Sequence, residues 1–348
     1  MDQDRSRWGE QDGEGHYRLN HNFKPSSSGF LAGEIIIFIL NIGGLFLNLL
    51  VFYILVIRIR ILKVDTVLSV LATIFDFIAS ATMIARLIAK WVILSAGSYK
   101  NFPMLCKPTG ILFFASTISA FDVVAVLGLI RCLIIVFNFR MKSVYWGIIL
   151  SILIIFNWAG ASVMEWNLPE ISWNGFCQVG FHRGSGRPRD GSNSRQRDGY
   201  PRSDQPGHID VFGEIESIKS IILLIVIIIS YALIFRFYRK YYENVKRSSS
   251  TDQHLIKEIG TQKNKTSLKL LLLIFSYVII YIPKFAIFIL YNFTKTKPDP
   301  NFEMVSAVLY TMSPIVNASV LLFIQEETKQ ELQLLWTLIF HRARTALK

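Results

Sequence analysis

The chain has 348 residues, is 52% hydrophobic and 18% charged, and carries a net charge of +12; its mean hydropathy is +0.39. A soluble domain does not gather its apolar residues into runs of about 20. In a membrane protein, Lys and Arg collect on the cytosolic side, so the basic balance does not argue for nucleic acid and no nucleic-acid partner is expected. The three cysteines form no CxxC pair and the six histidines all fall in tails or loops, which excludes the usual metal-site spacings; no cofactor is expected.

The first 32 residues are polar and charged, with no apolar core leading to a small-residue cleavage site, and are read as an amino-terminal tail. Seven apolar spans follow, at approximately 34–57, 66–93, 104–137, 144–166, 215–237, 268–291 and 305–324. Each is long enough to cross a hydrocarbon core of about 30 Å. The third carries Cys106 and Arg131 at its two ends. Their separation of 25 residues is roughly 37 Å of helix, enough to reach both interfaces. After position 325 the chain is too charged to cross. There Leu332, Leu334, Leu335, Leu338 and Ile339 share one helical face, the pattern of an amphipathic helix lying in the interface. The fold class expected is an all-α membrane protein: a seven-helix bundle over 33–324 and a carboxy-terminal amphipathic segment over 325–348, with membrane lipid as its surroundings.

The loops set the orientation. Arg58, Arg60 and Lys63 follow the first span, and Arg140 and Lys142 follow the third. Between Arg236 and Lys269 there are nine basic residues against three acidic ones. With alternating spans all of these share one side, which the positive-inside rule makes cytosolic and which puts the amino terminus outside. The stretch 180–206 has no apolar period and carries six arginines on the outer side. It reads as a disordered insertion, either passive or attracting ligand; long loops cross regardless of charge.

The order and separation of several residues resemble the rhodopsin-like (class A) G-protein-coupled receptors. Gly44, Asn48 and Val51 resemble the first-helix Gly-Asn-x-x-Val region, and Leu71, Ala72 and Asp76 the second-helix Leu-Ala-x-x-x-Asp stretch. Arg131 matches the arginine of the Asp-Arg-Tyr motif, and Trp158, 27 residues later, the fourth-helix tryptophan. Tyr231 and Pro283 match the fifth-helix tyrosine and the sixth-helix kink proline. Pro314, Asn317 and Phe323 resemble the seventh-helix Asn-Pro-x-x-Tyr pattern and the Phe beyond it. The resemblance covers most of 33–335. It implies a plasma-membrane receptor that is not an enzyme and couples an extracellular ligand, anionic or peptide in kind, to a heterotrimeric G protein. It also implies a disulfide between Cys106 and Cys177, leaving Cys132 as a free thiol. The switch residues it implies are Asn48, Asp76, Arg131, Tyr231, Tyr281, Pro283, Pro314 and Asn317. Asn292, in an Asn-x-Thr sequon against the outer face, is a candidate for glycosylation.

The departures from that pattern are informative. Ile130 and Cys132 flank Arg131, and Lys263 stands where an acid often pairs with that arginine, so no arginine–acid lock is expected from these positions. Tyr277 and Tyr281 replace the usual Phe and Trp, and Ala120 and Ser313 remove partners that help Asp76 hold sodium. Phe113 occupies the third-helix position where amine receptors carry an acid, and the seventh span lacks the lysine that retinal needs. Charges inside a bilayer are costly and seldom idle. Asp76 is then either a packing residue near Asn48 and Asn317 or a hub of the switch, and Arg131 either a snorkelling cation or a G-protein contact. Lys284, with Arg86, is a candidate for an anionic ligand group, with Phe113, Thr117 and Tyr281 as cavity wall. Arg86, Lys219 and Lys284 all lie in outer halves of spans; the competing reading is internal pairing with Glu165, Glu216 or Glu303, with Arg86 snorkelling to the interface.

Overall fold

A computed structural model describes residues 28–59, 63–95, 102–167, 208–248, 253–294, 299–324 and 326–346. The chain is a bundle of seven helices long and apolar enough to cross a membrane, and among the described residues there is no strand. The first helix, α1 (Ser28–Tyr53), runs into a π-helical turn, Ile54–Ile59. It is followed by α2 (Val64–Ser95), α3 (Phe102–Phe137), α4 (Ser143–Asn167), α5 (His208–Ser248) and α6 (Gln253–Thr294). The seventh span consists of two pieces, α7 (Pro300–Thr311) and α8 (Ser313–Ile324). The chain then turns into α9 (Glu326–Ala346).

Local chemistry explains the ends. α3 stops at Asn138, which takes the left-handed conformation (φ 52°) while the Phe139 N–H donates back to the Leu133 carbonyl at 3.0 Å. This six-residue closure satisfies an orphan carbonyl, and asparagine tolerates the positive φ that branched residues resist. α7 starts on Asp299, whose side chain accepts from the Asn301 N–H at 2.7 Å, with Pro300 pre-set for the first turn. The seventh span breaks at Met312, whose N–H bonds Leu309. Pro314, without an N–H, follows two residues later and cannot rejoin the two ladders.

α3 lies at the centre, against α2, α4 and α5, and its span is the most enclosed, whereas those of α1 and α4 are the least. The main core gathers Phe121, Val123, Leu127, Leu273, Tyr277 and Tyr281. Ile39, Phe46, Ile152, Ile155, Leu271 and Phe275 point outward, a belt that water would not tolerate but lipid does. Lipid is as apolar as the core, so close approach and polar contacts hold such a bundle together. A Cβ on Gly44 would stand 3.0 Å from Ser80 Oγ and 3.3 Å from Pro314 Cβ, which shows how tightly α1 meets α2 and α8. One on Gly128 would stand 3.2 Å from the Tyr231 ring. α9 lays Leu332 and Leu335 on the cluster of Val51, Ile54, Leu55 and Leu322, while Leu334 and Leu338 face outward. Glu331 pairs with Arg58 at 3.0 Å.

Candidate functional site

Two polar regions and a ladder of polar contacts lie inside the bundle. At the end that carries the 138–142 loop, Arg131 on α3 grips Asp65 in the first turn of α2. Its Nε donates to Oδ1 at 3.1 Å and its Nη2 to Oδ2 at 2.9 Å, a bidentate pair. The guanidinium also lies within electrostatic reach of the buried Tyr231 hydroxyl; Gly128, one turn earlier on α3, lets the Tyr231 ring approach the helix closely. No acid was expected to pair with Arg131 from position 130 or from the place of Lys263, and none does. The lock exists, and the acid comes from α2 instead of from position 130 or from α6. Lys263, on α6, pairs with Glu243 on α5 at 3.1 Å. Cys132 beside Arg131 is a buried free thiol.

The ladder begins with Asp76 on α2. Asn317 on α8 donates to both of its carboxylate oxygens, at 3.2 and 3.0 Å. The Asn317 carbonyl accepts from the Tyr277 hydroxyl at 2.8 Å, and its amide reaches Ser313 Oγ at 3.4 Å. Ser313 shares a 2.6 Å hydrogen bond with the Tyr281 hydroxyl. Asn48 turns instead to the carbonyls of Gly44 (2.8 Å) and Pro314 (3.2 Å) and ties α1 to the break in the seventh span. Tyr277, Tyr281 and Phe285 stack along α6 with ring centroids 6.1 Å apart at each step. α6 stays helical through Pro283. Phe121 of α3 packs on Tyr281 at 4.4 Å.

The second region is a small cavity of about 30 Å³ between α3, α5, α6 and α7, with Glu216, Ser220, Tyr281, Lys284, Phe285 and Tyr310 on its wall. Of the proposed ligand residues, Lys284 and Tyr281 line it; Arg86, Phe113 and Thr117 do not. Thr117 is buried and returns its hydroxyl to the Phe113 carbonyl at 2.7 Å. Phe113 packs against Met83, Leu87 and Met304 and edge-on against Tyr310. Arg86 is buried on α2. The cation pairing considered for the outer half holds for Lys219, which lies 2.7 Å from Glu216 and 3.0 Å from Asp122. Lys284 lies within the electrostatic reach of Glu303.

Sequence reasoning missed Asp122. It lies in mid-span on α3, is fully buried, and accepts from Asn157 of α4 at 2.8 Å and from Lys219 of α5. Asn157 also accepts a hydrogen bond from Lys219. An ionisable residue inside an apolar span is the signal that should have found it. A further buried pair, Glu34 with Lys90, joins α1 to α2, and Trp91 donates to the same carboxylate at 3.2 Å. Cys177 and the 180–206 stretch lie outside the described residues, as do the side chains of Cys106, Glu165 and Asn292, and with them the disulfide and the glycosylation site.

Polar contacts thus run from the lined cavity through Tyr281, Ser313 and Asn317 to Asp76. Residues 192–335 match the family described as serpentine type 7TM GPCR chemoreceptor Srv. The similarity covers less than half of the chain, from before α5 into α9. A comparison with curated proteins finds no match. The chain is thus a multi-pass membrane protein, similar over its last three spans to a family of receptors and not of enzymes. The matched family is a serpentine chemoreceptor family, where the motifs had suggested the rhodopsin-like class.

Proposed function

We propose that this protein is a chemosensory receptor of the plasma membrane, related to the rhodopsin-like receptors, with its amino terminus outside. A small extracellular ligand enters the cavity beside Lys284 and shifts the balance between two states of the bundle. The shift frees Arg131 for a heterotrimeric G protein at the opposite face. The observation that carries this reading is Tyr281. Its ring lines the cavity and its hydroxyl bonds Ser313, which bonds Asn317 and so reaches Asp76. A ligand that moves this ring therefore acts on the ladder directly.

The pairing of Arg131 with Asp65 supports the same reading, because a restrained arginine is what an idle receptor needs at its coupling face. The basic residues 236–269 extend α5 and α6 beyond the apolar spans on the same side, where they suit an acidic lipid surface or an acidic partner. Nucleotide-exchange assays with a panel of heterotrimeric G proteins test the proposal. The natural chain is expected to promote exchange by at least one of them and Arg131→Ala to lose it. A flat response across the panel from receptor present at the cell surface ends this reading in favour of a non-signalling relative.

A further inference from the structure

A separate groove of about 390 Å³ lies between α5 and α6, toward the end of the bundle that carries Arg131. Phe235 of α5 lines it, with Asn264, Ser267, Leu268 and Leu271 of α6. Leu268 and Leu271 are exposed, so the groove opens sideways, where lipid surrounds the bundle. Arg239 follows Phe235 by four residues on α5, and Lys263 precedes Ser267 by four on α6. Residues so spaced share a helix face, and the two helices run in opposite directions, so both cations stand at the same end of the groove. Glu243 joins them: its Oε1 accepts from Lys263 at 3.1 Å and lies 3.6 Å from Arg239 Nε. One carboxylate thus serves two cations, one from each helix. Over 235–248 and 261–271 there are eight Lys and Arg, and Glu243 is the only acid, so these segments cannot neutralise themselves.

The order of groups along α6 narrows the occupant. Lys263 comes first, then Asn264 and Ser267, then Leu268 and Leu271, over a rise of about 12 Å. The sequence is cation, hydrogen-bonding group, hydrocarbon. A phospholipid with an anionic headgroup presents the matching sequence of negative charge, ester and acyl chain. A soluble anion meets the cations and leaves the apolar part bare. A neutral lipid fills the apolar part and leaves the excess charge. A protein docking on the end of the bundle does not reach Leu271, which belongs to the outward apolar belt.

We infer that this groove binds one anionic phospholipid, its headgroup between Arg239 and Lys263 and an acyl chain against Phe235, Leu268 and Leu271. The inference needs only a chain that crosses a membrane and stands apart from the receptor reading. Basic residues at a membrane surface attract anionic lipid in general; the groove adds a place for one molecule.

The test is native mass spectrometry of the purified full-length protein in detergent, equilibrated with phosphatidylserine or with phosphatidylcholine of the same acyl chains. The natural chain is expected to retain one phosphatidylserine at about tenfold lower lipid concentration than phosphatidylcholine, and the preference to fall as salt is raised. Arg239→Gln with Lys263→Gln is expected to abolish the preference. Arg140→Gln with Lys142→Gln removes two exposed charges of the 138–142 loop, outside the groove, and is expected to keep it. Glu243→Gln removes the competing carboxylate and is expected to strengthen retention severalfold. Ser267→Trp fills the groove with every charge in place and is expected to weaken retention about tenfold. The unfolding midpoint of each variant in lipid-free detergent reports whether it is folded. Equal retention of the two lipids by the natural chain overturns the inference and leaves the cations to a protein partner. Equal losses in the two double variants reduce the effect to diffuse surface charge and overturn it too, as does retention that survives Ser267→Trp or drops in Glu243→Gln.

Discussion

Arg131 and Asp65 form a two-pronged contact, 3.1 and 2.9 Å long, that ties the end of α3 to the first turn of α2. The acid is 66 residues away in sequence and belongs to α2, the helix that packs most extensively on α3. The restraint on the arginine is thus independent of α6, whose inner end is held separately by Lys263 and Glu243.

Asp65→Asn keeps the size of the side chain and removes its charge. In the proposed receptor it is expected to raise ligand-free nucleotide exchange by about fivefold, the effect of roughly 1 kcal/mol of coupling, with Asp65→Glu close to the natural chain. Exchange measured in membranes at matched receptor density checks this. Basal rates equal in all three proteins would remove Asp65 from the switch.

Asn317 donates to both oxygens of Asp76 and accepts from Tyr277. Asn317→Ala leaves the carboxylate and the phenol without these partners, so a loss of roughly 1–3 kcal/mol is expected. A lower unfolding midpoint in detergent is the readout. Exchanging the two groups, Asp76→Asn with Asn317→Asp, restores the complementary pair and is expected to recover most of the loss.

Lys219→Met strands Asp122 and Glu216 inside the bundle without their shared cation. Breaking one side of a buried ion pair costs about 3–5 kcal/mol, so poor surface expression and a low midpoint are expected. Adding Asp122→Asn and Glu216→Gln removes both stranded charges and is expected to bring expression back. A triple variant no better than the single one would show that the lysine's packing over the Phe156 ring, 5.5 Å from its centroid, matters more than its charge.

Two glycines of α1 give a matched contrast. A Cβ at Gly44 meets Ser80 and the ring of Pro314, which has little room to move, whereas one at Gly33 meets the flexible end of Met304 at 2.8 Å. Gly44→Ala is expected to cost about 1–3 kcal/mol by overpacking, and Gly33→Ala much less. Comparing the unfolding midpoints of the two variants settles it.

The seven spans were legible because hydropathy alone marks them, and each expected span overlaps one of the seven apolar helical spans of the structure. The polar extensions were less visible. α5 and α6 run to 41 and 42 residues, beyond the apolar stretches that announced them, since helix continues through polar residues that hydropathy passes over. Within the site, Asp76, Asn317, Tyr281 and Pro314 were recognisable from motif spacing. Asp122 carried the same mid-span signal as Asp76 and was within reach. Asp65 was not, because an acid in a first helical turn is ordinary and nothing in sequence links it to an arginine on another helix. Thr117 and Phe113 illustrate the opposite failure. Both lie on the correct helix, but their register turns them toward α2 and α7 contacts or their own backbone, away from the cavity.

The interruption at Met312 gives the seventh span a joint where an unbroken rod would transmit motion whole. Asn48 clasps the Pro314 carbonyl just beyond this joint, and Tyr281 touches Ser313 at it. Whatever torque passes from the cavity wall to the lower piece must therefore cross a few side-chain contacts at this joint. A message routed through so narrow a coupling is adjustable by single substitutions, which leaves the surrounding scaffold free to stay as it is.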